Sequence, residues 1–139
     1  MKRSLMLALL AFVPTLAIAF LASPHSRSAP ASAGPPLAHM VFFTLNEDTP
    51  ANRAKLVAAC QKYLDGHSGT LYFSVGTLAD DLAREVNDRD FDVALHLVFD
   101  SKASHDTYQD HPRHQAFINE NKDLWGKVRV FDSYLSAAK

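Results

Sequence analysis

The residues best equipped for chemistry lie in one short run, Tyr108-Gln109-Asp110-His111-Pro112-Arg113-His114, followed by Phe117 and Trp125. The run gathers a phenol, two imidazoles and a helix-restarting proline. Pro112 ends one helix and opens the next, because its ring clashes with the preceding turn but fits a first helical position. His114 then falls at the third position of the new helix. The positive end of the helix dipole disfavours an imidazolium there. A neutral imidazole can accept a proton from a carbon acid. Tyr108, in the last turn before the break, can donate its hydroxyl to a carbonyl that becomes enolate-like. Together the two describe proton abstraction beside a carbonyl. The competing reading is structural: Tyr108 packs its ring, His111 caps a helix, and His114 bonds the main chain.

Other polar groups carry less. His111 and His114 form an i, i+3 pair, but zinc takes three or four ligands and no acid or cysteine falls at matching spacing, so no metal site is expected. Asp88, Asp90 and Asp92 lack the glycine and distal glutamate of a calcium loop and read as a solvated charge cluster. The loop around them, Ala79 to Asp90, could serve as a lid over a ligand. Cys60 lies on an apolar helical stripe and reads as a buried small hydrophobe. His96 sits among apolar strand neighbours and reads as a satisfied interface histidine. No Gly-rich phosphate loop is present, so no cofactor is expected.

The elements that must hold these groups follow from periodicity. Leu37 to Leu45 is an apolar strand. Thr49-Pro50 caps and opens a helix whose stripe is Leu56, Val57, Cys60, Tyr63 and Leu64. Thr70 to Leu78 and Phe91 to Phe99 are strands. Ser101 to Asp110 and Pro112 to about Asp123 are helical, and Trp125 to Leu135 is the last strand. The order strand, helix, strand, strand, helix, strand is the split βαβ, ferredoxin-like arrangement of an α+β protein. Its four-stranded antiparallel sheet carries helices on one face. The other face holds Met40, Phe42, Ala94, His96, Val98 and Phe131. So apolar a face calls for a second copy, packed as a two-fold homodimer.

The N-terminal third stands apart. Lys2-Arg3, the apolar run Leu5 to Ala22 and the small-x-small site Ala17-Ile18-Ala19 read as an export signal over residues 1–22. Uncleaved, the same run is long enough to anchor the chain in a membrane, for which roughly 17–25 residues suffice. Residues 23–36 are a Pro/Ser/Ala-rich linker. The folded part spans 37–136. Lys2, Arg3 and Arg27 are the basic residues before Leu37 and no acid precedes it, so the folded part is more acidic than the overall charge of -1. Nucleic acid, which needs a basic face, is excluded as a partner. One cysteine excludes an intrachain disulfide.

Over Leu37 to Ser136 the chain resembles the stress-responsive A/B barrel (Dabb) family. The carriers are His39 at the start of the first strand, Phe91-Asp92-Val93-Ala94-Leu95, the Tyr108-x-x-His111-Pro112-x-His114-x-x-Phe117 run, and Trp125 with Val130-Phe131-Asp132. The resemblance implies a dimeric α+β barrel. It also implies a pocket. The family's best-understood enzyme is a plant polyketide cyclase that performs aldol closure without a cofactor. Its catalytic tyrosine and histidine match Tyr108 and His114, its first-strand histidine matches His39, and its pocket wall matches Val41, Leu95, Phe117 and Trp125. His111 is expected beside them as a substrate contact. Val93 replaces a further histidine of that enzyme, and a small residue near Cys60 replaces an aromatic one, so its substrate does not carry over. The expectation is a pocket for a small apolar molecule, with cofactor-free lyase- or cyclase-like proton transfer as its chemistry. The alternative is a non-catalytic stress protein whose dimeric assembly is the function.

Overall fold

The computed structural model describes residues 34–136. The signal, anchor and most of the linker reading therefore lie outside the described residues. The elements are β1 (Leu37–Leu45), α1 (Pro50–Leu64), β2 (Thr70–Thr77), β3 (Val93–Phe99), α2 (Lys102–Asp110), α3 (Pro112–Asn121), a 3-10 turn (Lys122–Leu124) and β4 (Trp125–Tyr134). The four strands form one antiparallel sheet in the order β2-β3-β1-β4. No described helix is long and apolar enough to cross a membrane.

Local chemistry sets the element ends. Asn52 N–H donates to Thr49 Oγ1 at 3.1 Å and Pro50 opens α1, so two backbone donors that a helix leaves orphaned are accounted for. Ser101 caps α2 through Ser104 N–H. Gly69 has φ +79°, and a Cβ there would fall 2.3 Å from Ser104 Oγ. Glycine is thus required where the α1–β2 connection crosses the start of α2. β3 begins at Val93 rather than Phe91, because the Asp92 carboxylate accepts the Leu45 N–H at 2.7 Å in place of a ladder bond.

The core lies between the sheet and the helices. Alternation puts Val41 and Phe43 of β1 and Val93, Leu95, Leu97 and Phe99 of β3 on one face. There they meet Leu56, Cys60 and Leu64 of α1, Tyr108 of α2 and Phe117 of α3. Each of the fully buried Leu and Phe side chains contributes about 1.5–3 kcal/mol. Cys60 is completely buried, and burial pushes its thiol up to about 12, as a core position requires.

No described helix covers the opposite face. Phe42 packs edge-on against Phe91 and Phe131, at ring separations of 5.0 and 5.6 Å, and Ser74 Oγ and His96 Nδ1 share a cross-strand hydrogen bond of 3.1 Å. Phe131 nonetheless stays 54% exposed. The acidic loop lies on this side. Asp88 pairs with Arg129 at 2.7 Å, Asp90 pairs with Lys127, and Asp92 faces Arg53 at 3.6 Å. Asp88 and Asp90 remain solvated, as expected, and each is matched to a base; Asp92 is the more covered of the three. The expected lid is corrected by the same contacts. Arg129 and Phe42 hold the loop to the helix-free face of the sheet, away from the Tyr108–His114 run.

Candidate functional site: an apolar cavity with two imidazoles and a phenol

Tyr108 and His114 come from different helices that meet at one extended residue. His111 has φ -68° and ψ 136°, the conformation expected before proline, and it is both the last cap of α2 and the first of α3. Its backbone N–H donates to Tyr108 C=O at 3.1 Å, and its Nδ1 accepts the Arg113 N–H at 3.1 Å. The chain direction changes there, and the rings of Tyr108 and His114 come to 4.6 Å between centroids.

His114 does fall at the third position of its helix. Its Nδ1–H donates to the Gln109 carbonyl at 3.0 Å. That bond fixes the tautomer and leaves Nε2 as the nitrogen with a free lone pair. Burial, first among the causes, holds the imidazole below the ordinary histidine range, against the opposing pull of the Gln109 carbonyl; the charges of His39, His67 and His105 push the same way as burial. Desolvation, rather than the helix end, is the leading cause of this lowering.

Tyr108 is 2% exposed. Burial raises its phenol well above the usual tyrosine range, so it stays protonated. Its hydroxyl makes no hydrogen bond to another described residue. The ring is held instead by aromatic contacts with Phe99, His67 and His39 at 5.1, 4.9 and 6.0 Å. A hydroxyl without an acceptor among the described residues is free to donate to a ligand.

His39 faces the same space from β1. Its Nδ1–H donates to Asp132 Oδ1 at 2.6 Å, and the two residues are direct partners across β1 and β4. Burial lowers the imidazole's affinity for a second proton more than Asp132 raises it. His39, like His114, is thus a neutral imidazole whose Nδ1–H is committed to the protein.

These groups border a cavity of about 280 Å³. Of the residues expected in the pocket, His39, Val41, Leu95, Tyr108, His114, Phe117 and Trp125 line it, and Phe43, Leu64 and Ile118 complete its apolar wall. Phe117 stacks on Trp125 at 5.5 Å. Val128 and Val130 of the edge strand β4 also line it and are exposed, so the mouth opens there. His111 is the exception among the expected residues. Its helix-capping bond turns it toward His67, with rings 4.7 Å apart, and into a separate small cavity.

Three polar residues were not foreseen. His67 is buried against Tyr108, and its Nε2–H donates to Tyr63 C=O at 2.9 Å. It sits in a glycine turn, where no periodicity flags it. His105 precedes Tyr108 by three residues, a spacing that shares a helix face. Asp132 could have been found from strand register, as the cross-strand partner of His39.

Comparison with curated protein sequences finds no match. Solved structures agree on the fold. A Dabb family protein with a ferredoxin-like fold from Mesorhizobium loti gives a TM-score of 0.61 at 21% identity, covering 74% of this chain and 99% of the other. A dimeric ferredoxin-like protein of unknown function from Thermobifida fusca gives 0.61 at 19%, covering 73% and 92%. A hydroxynitrile lyase from Passiflora edulis gives 0.60 at 19%, covering 77% and 99%. Identities this low speak for the fold alone. The family itself rests on the sequence: residues 37–135 match the Stress responsive A/B Barrel Domain, and the chain belongs to that family.

Proposed function

We propose that the protein binds a small apolar molecule bearing a carbonyl in the Tyr108–His114 cavity and moves a proton beside that carbonyl without a cofactor. One observation carries the reading. His114 keeps Nε2 free because Gln109 takes Nδ1–H, and it stands against a protonated phenol with no acceptor among the described residues. An apolar wall strengthens both, since a low-dielectric site magnifies interactions with developing charge. In this reading His114 Nε2 accepts the proton from carbon. Tyr108 donates its O–H to the carbonyl oxygen as negative charge builds on it. His39 offers a further acceptor on the opposite wall. The same donor-and-base logic suits cleavage or formation of a bond next to a carbonyl, the lyase- or cyclase-like class. That a structural relative is a hydroxynitrile lyase accords with this class without naming the substrate.

The test is ligand-induced stabilisation. Small aromatic and aliphatic carbonyl compounds are screened against the full chain for a rise in Tm, since a ligand that binds only the folded state stabilises it by mass action. Hits are then assayed for exchange of the proton next to the carbonyl. Binders that exchange no faster in the parent chain than in His114→Ala sink the catalytic part of the reading.

We also propose that two copies pack through the helix-free sheet face, where Phe131 is 54% exposed beside Phe42 and Phe91. Dimeric relatives of the same fold support this. The face also keeps alive a second reading, in which the assembly and not the cavity is the function. Export remains a proposal from the basic and apolar N-terminal residues.

A further inference from the structure

We propose that His39, His105 and Asp132 form a binding site for a divalent transition-metal ion of the zinc type. One donor atom from each of the three lies within 4.8 Å of the other two. They come from three elements. His39 and Asp132 face each other across β1 and β4, with Nδ1 and Oδ1 2.6 Å apart. His105 reaches them from the first half of α2, its ring 4.9 Å from that of His39. A tetrahedral zinc with bonds of about 2.0–2.1 Å holds its ligands about 3.4 Å apart. The His39–Asp132 pair is closer than this and His105 farther, so the half-exposed Asp132 carboxylate must draw back from His39 and His105 must rotate inward to bring the set into range.

The donor chemistry selects the ion. Two imidazoles and one carboxylate suit zinc, cobalt(II) or nickel, whereas calcium and magnesium take oxygen ligands. Each nitrogen of His105 has a neighbour, Asp106 Oδ1 at 3.4 Å and the Gln109 side-chain amide at 3.1 Å. Whichever nitrogen ligates, the other keeps a contact that orients the ring. Lys102, which borders the same groove, is paired with Asp106 at 2.6 Å, which leaves Asp132 to the site. Three protein ligands leave a fourth position. It opens on a surface groove bordered by Leu37, Ser133 and Tyr134, through which an ion and a water can enter.

Occupancy would reach the neighbouring cavity. Ligation uses the Nδ1 lone pair of His39, so the proton now shared with Asp132 passes to solvent or to Nε2. In the second case His39 presents an N–H to the cavity instead of a lone pair. The ion would thereby change which ligands the cavity accepts. The metal site itself does not depend on the proton-transfer reading.

The experiment titrates the chelator-treated full chain with cobalt(II), followed by its visible absorption, and with zinc by calorimetry. One ion per chain is expected. His105→Ala and Asp132→Asn should each weaken binding at least tenfold, and His25→Ala should not. The His105 side chain is 14% exposed and packs on Phe99, so His105→Gln provides a second variant should the alanine disturb folding. Absence of saturable binding, or His105 variants that melt like the parent and bind as tightly, would overturn the proposal.

Discussion

The backbone carbonyl of Gln109 accepts the Nδ1–H of His114 across the Pro112 break. The carbonyl belongs to the end of α2 and the imidazole to the start of α3, so the joint between the helices is also what sets the tautomer of the proposed base.

The first prediction concerns the pair. His114→Ala should abolish proton exchange in any ligand found by screening, with the fold kept, since the side chain lines an existing cavity. Tyr108→Phe should lower the exchange rate by about 10²–10³, the usual loss for one donor to a developing oxyanion. Its stability should change by no more than about 1 kcal/mol, because the hydroxyl has no described partner to lose. Denaturant melts beside exchange rates check both. A Phe variant as active as the parent removes the phenol from the mechanism.

The second is a pH dependence of stability. Burial lowers the affinity of His67 and His114 for a proton in the folded chain, below that of an ordinary histidine, which titrates near 6.5. The unfolded chain therefore binds more protons below that value, and stability decreases as the pH is lowered. Their contribution is complete above about pH 6.5 and is lost as the medium acidifies through it. Tm should drop on going from about pH 7.5 to about pH 5, and His67→Asn should flatten the drop. A profile with the same slope in that variant would count against His67.

Thirdly, Phe131→Asp should convert the proposed dimer to monomer. A central aromatic at such an interface is commonly worth at least about 2 kcal/mol, and a carboxylate in its place is also costly to bury. Sedimentation velocity of the two proteins decides it. A parent chain that is monomeric at micromolar concentration defeats the packing outright.

Fourthly, the cavity mouth can be plugged. Val130 is 48% exposed at the opening, so Val130→Trp should leave Tm of the free protein nearly unchanged while suppressing ligand-induced stabilisation. Equal ligand shifts in both proteins would place the entrance elsewhere.

Much of this was legible in the sequence because it follows from periodicity. Alternation in β1 and β3 separated the core face from the helix-free face, and Pro112 located the break between α2 and α3. The cavity wall was legible through the family resemblance, with His111 the one expected residue that faces away. Its place has a local cause: its ring caps α3, as the competing structural reading of the run expected. The acidic loop was harder. Its path depends on Arg129, Lys127 and Arg53, bases from distant elements that make it a clasp on the sheet rather than a cover for the cavity. The His39–Asp132 pair follows from strand register, but His105 joins it from a third element and shares no local motif with either.

Had α2 run on through residue 111, positions 108 and 114 would sit about 9 Å apart along one axis and about 120° apart around it, facing different surroundings. A continuous helix cannot aim both at one point. The proline thus acts as a mitre, and Pro112→Ala, by letting the rod straighten, would dissolve the encounter without touching either ring.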